Sequence, residues 1–257
     1  MASRNNIPGI YNWCDKWCER CPLTSRCLLY ERESGLTDEE KDISNEAFWN
    51  NLSANFAETA ALLQKDAEKF GIDLNAISQE ELQESIQERR IQEMVVDAHP
   101  LSKLSEQYPY KVKDWMEQNA IHLNADQIIK ELEIGMKSEE EAEKSVLSFK
   151  DGVEIISWYQ YMIYIKCNRS VRDSQMQDGL DDDLPEEEKS YNGSAKIASI
   201  AIDRSIQSWA LLLEFLPEQE GSILEILSLL QQIRRLLHAT FPHAESFIRP
   251  GFDEIPS

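Results

Sequence analysis

Glycine is scarce in this chain, nine in 257 residues, and so are long apolar runs. Little glycine and almost no apolar–polar alternation argue against a strand-rich fold. Apolar residues instead recur at three- and four-residue steps, which argues for helices almost throughout. The longest apolar-rich stretches, Ile155–Ile165 and Ala210–Leu216, are too short or too polar to cross a bilayer. Basic charge is short as well: 26 Lys and Arg face 47 Asp and Glu, a formal net charge of -21. That field repels phosphate backbones and anionic lipid surfaces, so neither nucleic acid nor membrane is expected as a partner, and a protein partner is.

The common catalytic signatures are missing too. There is no His-Glu-x-x-His, no Gly-x-Ser-x-Gly, no phosphate-cradling glycine loop and no dinucleotide fingerprint. A carboxylate-bridged di-iron bundle needs inward Glu-x-x-His pairs, and the chain has no Glu-x-x-His. The first residues, Met-Ala-Ser-Arg-Asn-Asn-Ile-Pro-Gly, lack the apolar stretch of a signal peptide, which points to the cytoplasm. Thiols stay reduced in that compartment, so clustered cysteines there read as metal ligands before disulfides.

What the chain does have is such a cluster. Four of its five cysteines, Cys14, Cys18, Cys21 and Cys27, follow the pattern C-x3-C-x2-C-x5-C. With 257 residues and 42% hydrophobic content the protein buries a core without help, so a metal serves a local purpose. On a helix over Tyr11–Cys21, positions 14, 18 and 21 share a face, but a straight helix spreads the outer two by about ten ångströms. Thiolates around zinc sit within roughly 4 Å of one another, so the backbone has to bend. Pro22 supplies a bend, because it lacks an N–H and pushes Cys21 out of the helical region. The expected picture has Cys14 and Cys18 on one helical turn, Cys21 at its broken end, and Cys27 returning over a loop.

Two metals compete for this set. Structural zinc usually takes two ligand pairs separated by a longer connection, whereas an iron–sulfur cube tolerates wider thiolate spacing and is often bound by clustered cysteines followed by proline. A [4Fe–4S] cluster is therefore the preferred reading, zinc the alternative, and free or redox thiols a third. Tyr11, Trp13, Trp17 and Tyr30 would either shield such a site from water or anchor the segment on the helical body.

The part Cys18-Glu-Arg-Cys21-Pro-Leu-Thr-Ser-Arg-Cys27 resembles the cluster-binding segment of CRISPR-associated exonucleases of the RecB type and of the SPASM auxiliary domains of radical enzymes. The resemblance covers about ten residues and implies a [4Fe–4S] ligand arrangement. It does not extend to the strand-rich nuclease core or the barrel of those families. Cys14-x3-Cys18-x2-Cys21 also matches the spacing of radical S-adenosylmethionine enzymes, without the glycine-rich strand–helix pattern that follows it there.

The fold expectation is all-α: a bundle of about four long helices with shorter helices and an N-terminal four-cysteine segment. By range, residues 1–35 form the cysteine-rich segment, 36–172 a helical region, 173–193 an acidic linker, 194–241 a helical hairpin on the same bundle, and 242–257 a tail. Helix starts are read at Thr37-Asp-Glu-Glu40, Ser78-Gln-Glu-Glu81 and Ser138-Glu-Glu-Glu141. The bundle is expected from the Asp38–Phe70 helix, a long helix to about Arg172, and the hairpin of Ser194–Phe215 with Ser222–Thr240. Pro100 and Pro109 are expected to break 100–123 into short pieces, with a short helix at Ala125–Leu132.

Three further candidates stand apart. Cys167 lies on an apolar helix face and reads as a small buried hydrophobe before a fifth ligand. His238 and His243, near Phe241-Pro242, are close enough in sequence to serve a site together or to sit at a helix end. Asp151 and Glu154, with Asp203 and Arg204, are candidates for an interior polar network, with surface ion pairs the safer expectation.

Overall fold

Caps and breaks decide where the helices of this chain begin. The structure is a computed structural model that describes residues 5–73, 76, 78–119, 139–175 and 183–253. Among these residues stand eight α-helices, several short 3-10 turns and no strand. The helices are α1 Leu28–Ser34, α2 Asp38–Lys41, α3 Glu46–Phe70, α4 Gln79–Ala98, α5 Pro100–Gln118, α6 Glu139–Gln175, α7 Ser190–Phe215 and α8 Glu220–Thr240. The all-helical expectation holds for them, and no described helix is long and apolar enough to cross a membrane. The expected helix at Ala125–Leu132 lies outside the described residues. Two compact units divide the chain: Met1–Asn12 with Lys16–Ile91, and Trp13–Asp15 with Gln92–Ser257.

In the first unit the Ile7 amide donates to the Arg26 carbonyl at 2.9 Å and closes the cysteine-rich stretch into a loop. Thr37 and Glu40 form the reciprocal capping box read from the sequence. The helix that it starts ends at Lys41, however. The Asp42 carboxylate takes both the amide and the hydroxyl of Ser44, and Asn45 caps a new helix by accepting from the Ala47 amide. The expected Asp38–Phe70 helix is therefore two helices. The second stops at Gly71, which adopts φ 68°. Ser78 and Glu81 form the second box, as read.

In the second unit α5, α6, α7 and α8 pack together. The fourth helix of this bundle is thus Pro100–Gln118, where broken pieces were expected, and not Asp38–Phe70. The reason is positional. Pro100 occupies the first helical turn, where no N–H is needed, and His99 caps it by accepting from the Leu101 amide through Nδ1 at 3.1 Å. Pro109 stays inside the helix and buried, so packing outweighs the hydrogen bond it removes.

Helix α7 is the centre of the bundle, with buried residues on every side and small ones, Ala195, Ala198, Ala201 and Ser205, that let neighbours approach. Gly152 on α6 serves the same purpose. A Cβ there would stand 2.9 Å from Leu212 of α7. Trp209 and Tyr108 are fully buried and joined by a 3.0 Å hydrogen bond from the indole N–H, and Trp115 meets Trp209 edge-on at 4.8 Å. Residues 242–253, expected as a tail, pack on this unit: Ala244 and Phe247 are buried, and Asp253 pairs with Lys196 at 2.9 Å and with Arg249 at 2.8 Å.

Candidate metal centre

The cysteine segment is built from tight turns rather than from a helix. Cys18–Arg20 and Thr24–Arg26 are single 3-10 turns, and each is closed by a cysteine. The Cys21 amide donates to the Cys18 carbonyl and the Cys27 amide to the Thr24 carbonyl, both at 3.2 Å. Both closing cysteines are extended, Cys21 at φ -85°, ψ 122° and Cys27 at φ -112°, ψ 115°. Pro22 explains the first directly, since the residue before proline is pushed out of the helical region. The break expected at Cys21 is therefore present. Cys14 and Cys18 do not share a helical turn, though. Lys16 between them takes φ 60°, a left-handed conformation that turns the chain sharply and disfavours any helix through it.

All four thiols are half-buried. The Leu23 amide lies 3.4 Å from Cys21 Sγ and points its N–H at the sulfur. Among the described residues no group of three or more His, Cys, Asp or Glu side chains gathers closely enough to hold a metal ion. The four cysteines fall in one short stretch of sequence, and two of them, Cys21 and Cys27, have the same local backbone geometry.

The aromatic residues divide between shielding and anchoring. Trp17 is buried, with the Arg20 guanidinium 4.0 Å over its ring. Trp13 anchors: its ring packs on Phe247 at 4.9 Å and against Gly193, where a Cβ would stand 2.6 Å from the indole. Tyr30 is exposed.

Sequence reasoning missed the strongest polar contacts near these cysteines. Asp15, next to Cys14, accepts from the Tyr159 hydroxyl at 2.6 Å and from Arg204 Nη1 at 2.7 Å, and its carbonyl accepts from the Trp158 indole at 3.0 Å. Arg204 also meets the Tyr159 hydroxyl. Burial pushes the Tyr159 phenol up, and the bonded, charged Asp15 pushes it further, so it remains a donor. No spacing rule links residue 15 to residues 158, 159 and 204, so no sequence signal was available. Arg204 is thus committed to Asp15, while Asp203 forms a half-exposed ion pair with Arg234 at 3.1 Å.

Cys167 is fully buried in the helical unit, and burial raises its thiol to about 12 despite a hydrogen bond to Ser105. It is the small apolar residue the sequence suggested. His238 joins a different group: its Nε2 lies 3.1 Å from Ser199 Oγ and 3.4 Å from Glu245 Oε1, and Ser199 Oγ donates to Glu245 at 2.7 Å. Serine and carboxylate share one ring nitrogen and bond each other directly, so the relay order of a nucleophilic triad is not met. This group ties α7 and α8 to the turn Ala244–Ser246. His243 begins that turn, its carbonyl accepting from the Ser246 amide at 3.0 Å.

No family model matches the chain, and no curated protein or solved structure matches it.

Proposed function

We propose that Cys14, Cys18, Cys21 and Cys27 bind a metal centre, a [4Fe–4S] cluster, and that the protein serves electron transfer, redox sensing or the docking of a protein partner around that cluster. The observation that carries the reading is the repeated turn: two consecutive 3-10 turns, each closed by an extended cysteine, within a four-cysteine run. The Leu23 amide aimed at Cys21 Sγ adds a backbone donor to that sulfur, as outer-shell donors do for metal-bound thiolates. Binding would fix the four thiolates around one centre, so metal affinity would be coupled to ordering of the segment. Clustered thiolates supply what a cube needs, and half-burial limits access of water and oxidant to its sulfurs.

Zinc is the second reading, in an acidic interaction module without catalysis. The short turn that joins Cys18 to Cys21 favours it, because structural zinc takes ligand pairs close in sequence. Anaerobic purification followed by iron, sulfide and zinc analysis separates the two. About four iron and four sulfide per chain, with absorbance near 400 nm, support the cluster. Stoichiometric zinc without iron overturns it, and neither metal overturns both.

A further inference from the structure

A second polar site lies wholly in the helical unit. Asp97 in the last turn of α4, Ser102 and Glu106 on α5, and Tyr164 on α6 line a cavity of about 150 Å³. Ser102 and Glu106 are four residues apart and so share a helix face. The lining residues carry two carboxylates, a hydroxyl and a phenol, and the lining is mostly polar. Ser102 is 2% exposed, and its Oγ has no hydrogen-bond partner. A buried hydroxyl left unpaired costs about 1–3 kcal/mol, so a group that donates to it is favoured in this space. Burial raises the Tyr164 phenol first, and the charges of Glu106 and Asp97 add to it.

We propose that this cavity binds the ammonium group of a small aliphatic amine. A primary ammonium carries three N–H donors, and the wall offers acceptors on Asp97, Glu106 and Ser102 with the Tyr164 ring beside them. A dehydrated metal ion is a poorer match, because among the described residues no third carboxylate, histidine or cysteine joins the two. The size agrees. About 150 Å³ is on the order of five water volumes, enough for an ammonium head and a few methylene groups.

Titration calorimetry of the full chain with 1,4-diaminobutane in 150 mM NaCl tests the site. The expected result is saturable one-to-one binding that weakens at least about tenfold in Asp97→Asn/Glu106→Gln and about threefold or more in Ser102→Ala. Because the chain is strongly acidic, Glu84→Gln/Glu88→Gln serves as the charge control and is expected to bind as the unaltered protein does. Circular dichroism checks that each variant is folded. No binding to the unaltered chain, equal binding to the Asp97→Asn/Glu106→Gln variant, or equal loss in the control overturns the proposal. So does displacement of the amine by magnesium at equal concentration, which would mark a metal site.

Discussion

At the scale of single residues the five cysteines separate into two kinds by solvent access. Cys167 is buried with its thiol raised to about 12, whereas the other four are half-buried. In metal-free folded protein, a thiol reagent at pH 8 is expected to modify four cysteines and to reach the fifth only in denaturant. Rapid modification of all five without denaturant would contradict this. Asp253 gives a pH prediction. Burial alone would raise its carboxyl, but hydrogen bonds from Arg249 and Lys196 outweigh it and hold the group far below its ordinary 3.8. A depressed folded value means stability that is present above the unfolded value and lost as pH falls through the folded one. Contacts of the 247–253 segment are therefore expected to survive acidification to about pH 4 and to weaken below it, readable from amide protection there.

Individual elements depend on local devices that are easily perturbed. His99 caps α5 through an unprotonated Nδ1, and burial lowers its pKa from the ordinary 6.5. Here too the folded value is depressed, so the cap's contribution is present above about pH 6.5 and fades as pH falls through the folded value. Exchange at the Leu101 amide is expected to quicken over that range, and His99→Ala to destabilise by about 1 kcal/mol. At the start of α7, Gly193 leaves room for the Trp13 and Phe247 rings. In Gly193→Ala the new Cβ would lie 2.6 Å from Trp13 and 2.7 Å from Phe247. Displacing them is expected to cost about 1–3 kcal/mol and to alter tryptophan fluorescence. An unchanged unfolding midpoint would show that Trp13 does not pack as described.

For the molecule as a whole, charge sets the leading prediction. A formal charge of -21 repels itself in the compact state, and salt screens it with a Debye length of about 10 Å at 0.1 M. The unfolding midpoint is expected to rise by several degrees between 10 and about 300 mM NaCl. A flat or falling midpoint would mean that paired charges, such as Asp15 with Arg204, outweigh the excess. Removal of the proposed metal centre is expected to act locally, because the four-helix unit has its own core of Trp209, Tyr108, Ile156 and Leu230. Chelation should expose amides near residues 14–27 while helical circular dichroism stays within about a tenth of its value. A global loss of helicity would contradict that independence.

Helical class and the helix starts at Thr37 and Ser78 were legible in the sequence, because periodicity and capping boxes are local quantities. The capping boxes at Thr37 and Ser78 formed as read, and so did the break at Cys21 before Pro22. Only the tertiary structure decided which apolar stripes meet. Phe56, Leu63 and Phe70 recur every seven residues on α3, yet they are 66, 61 and 69% exposed while Tyr108 and Val112 of α5 are fully buried. Amphipathicity requires a partner without naming one. The same holds for the polar groups: Asp15 with Arg204, Ser199 with His238, and the Asp97–Tyr164 cavity join residues far apart in the chain. Their pairing follows from the packing of α5, α6, α7 and α8 and has no counterpart in local spacing.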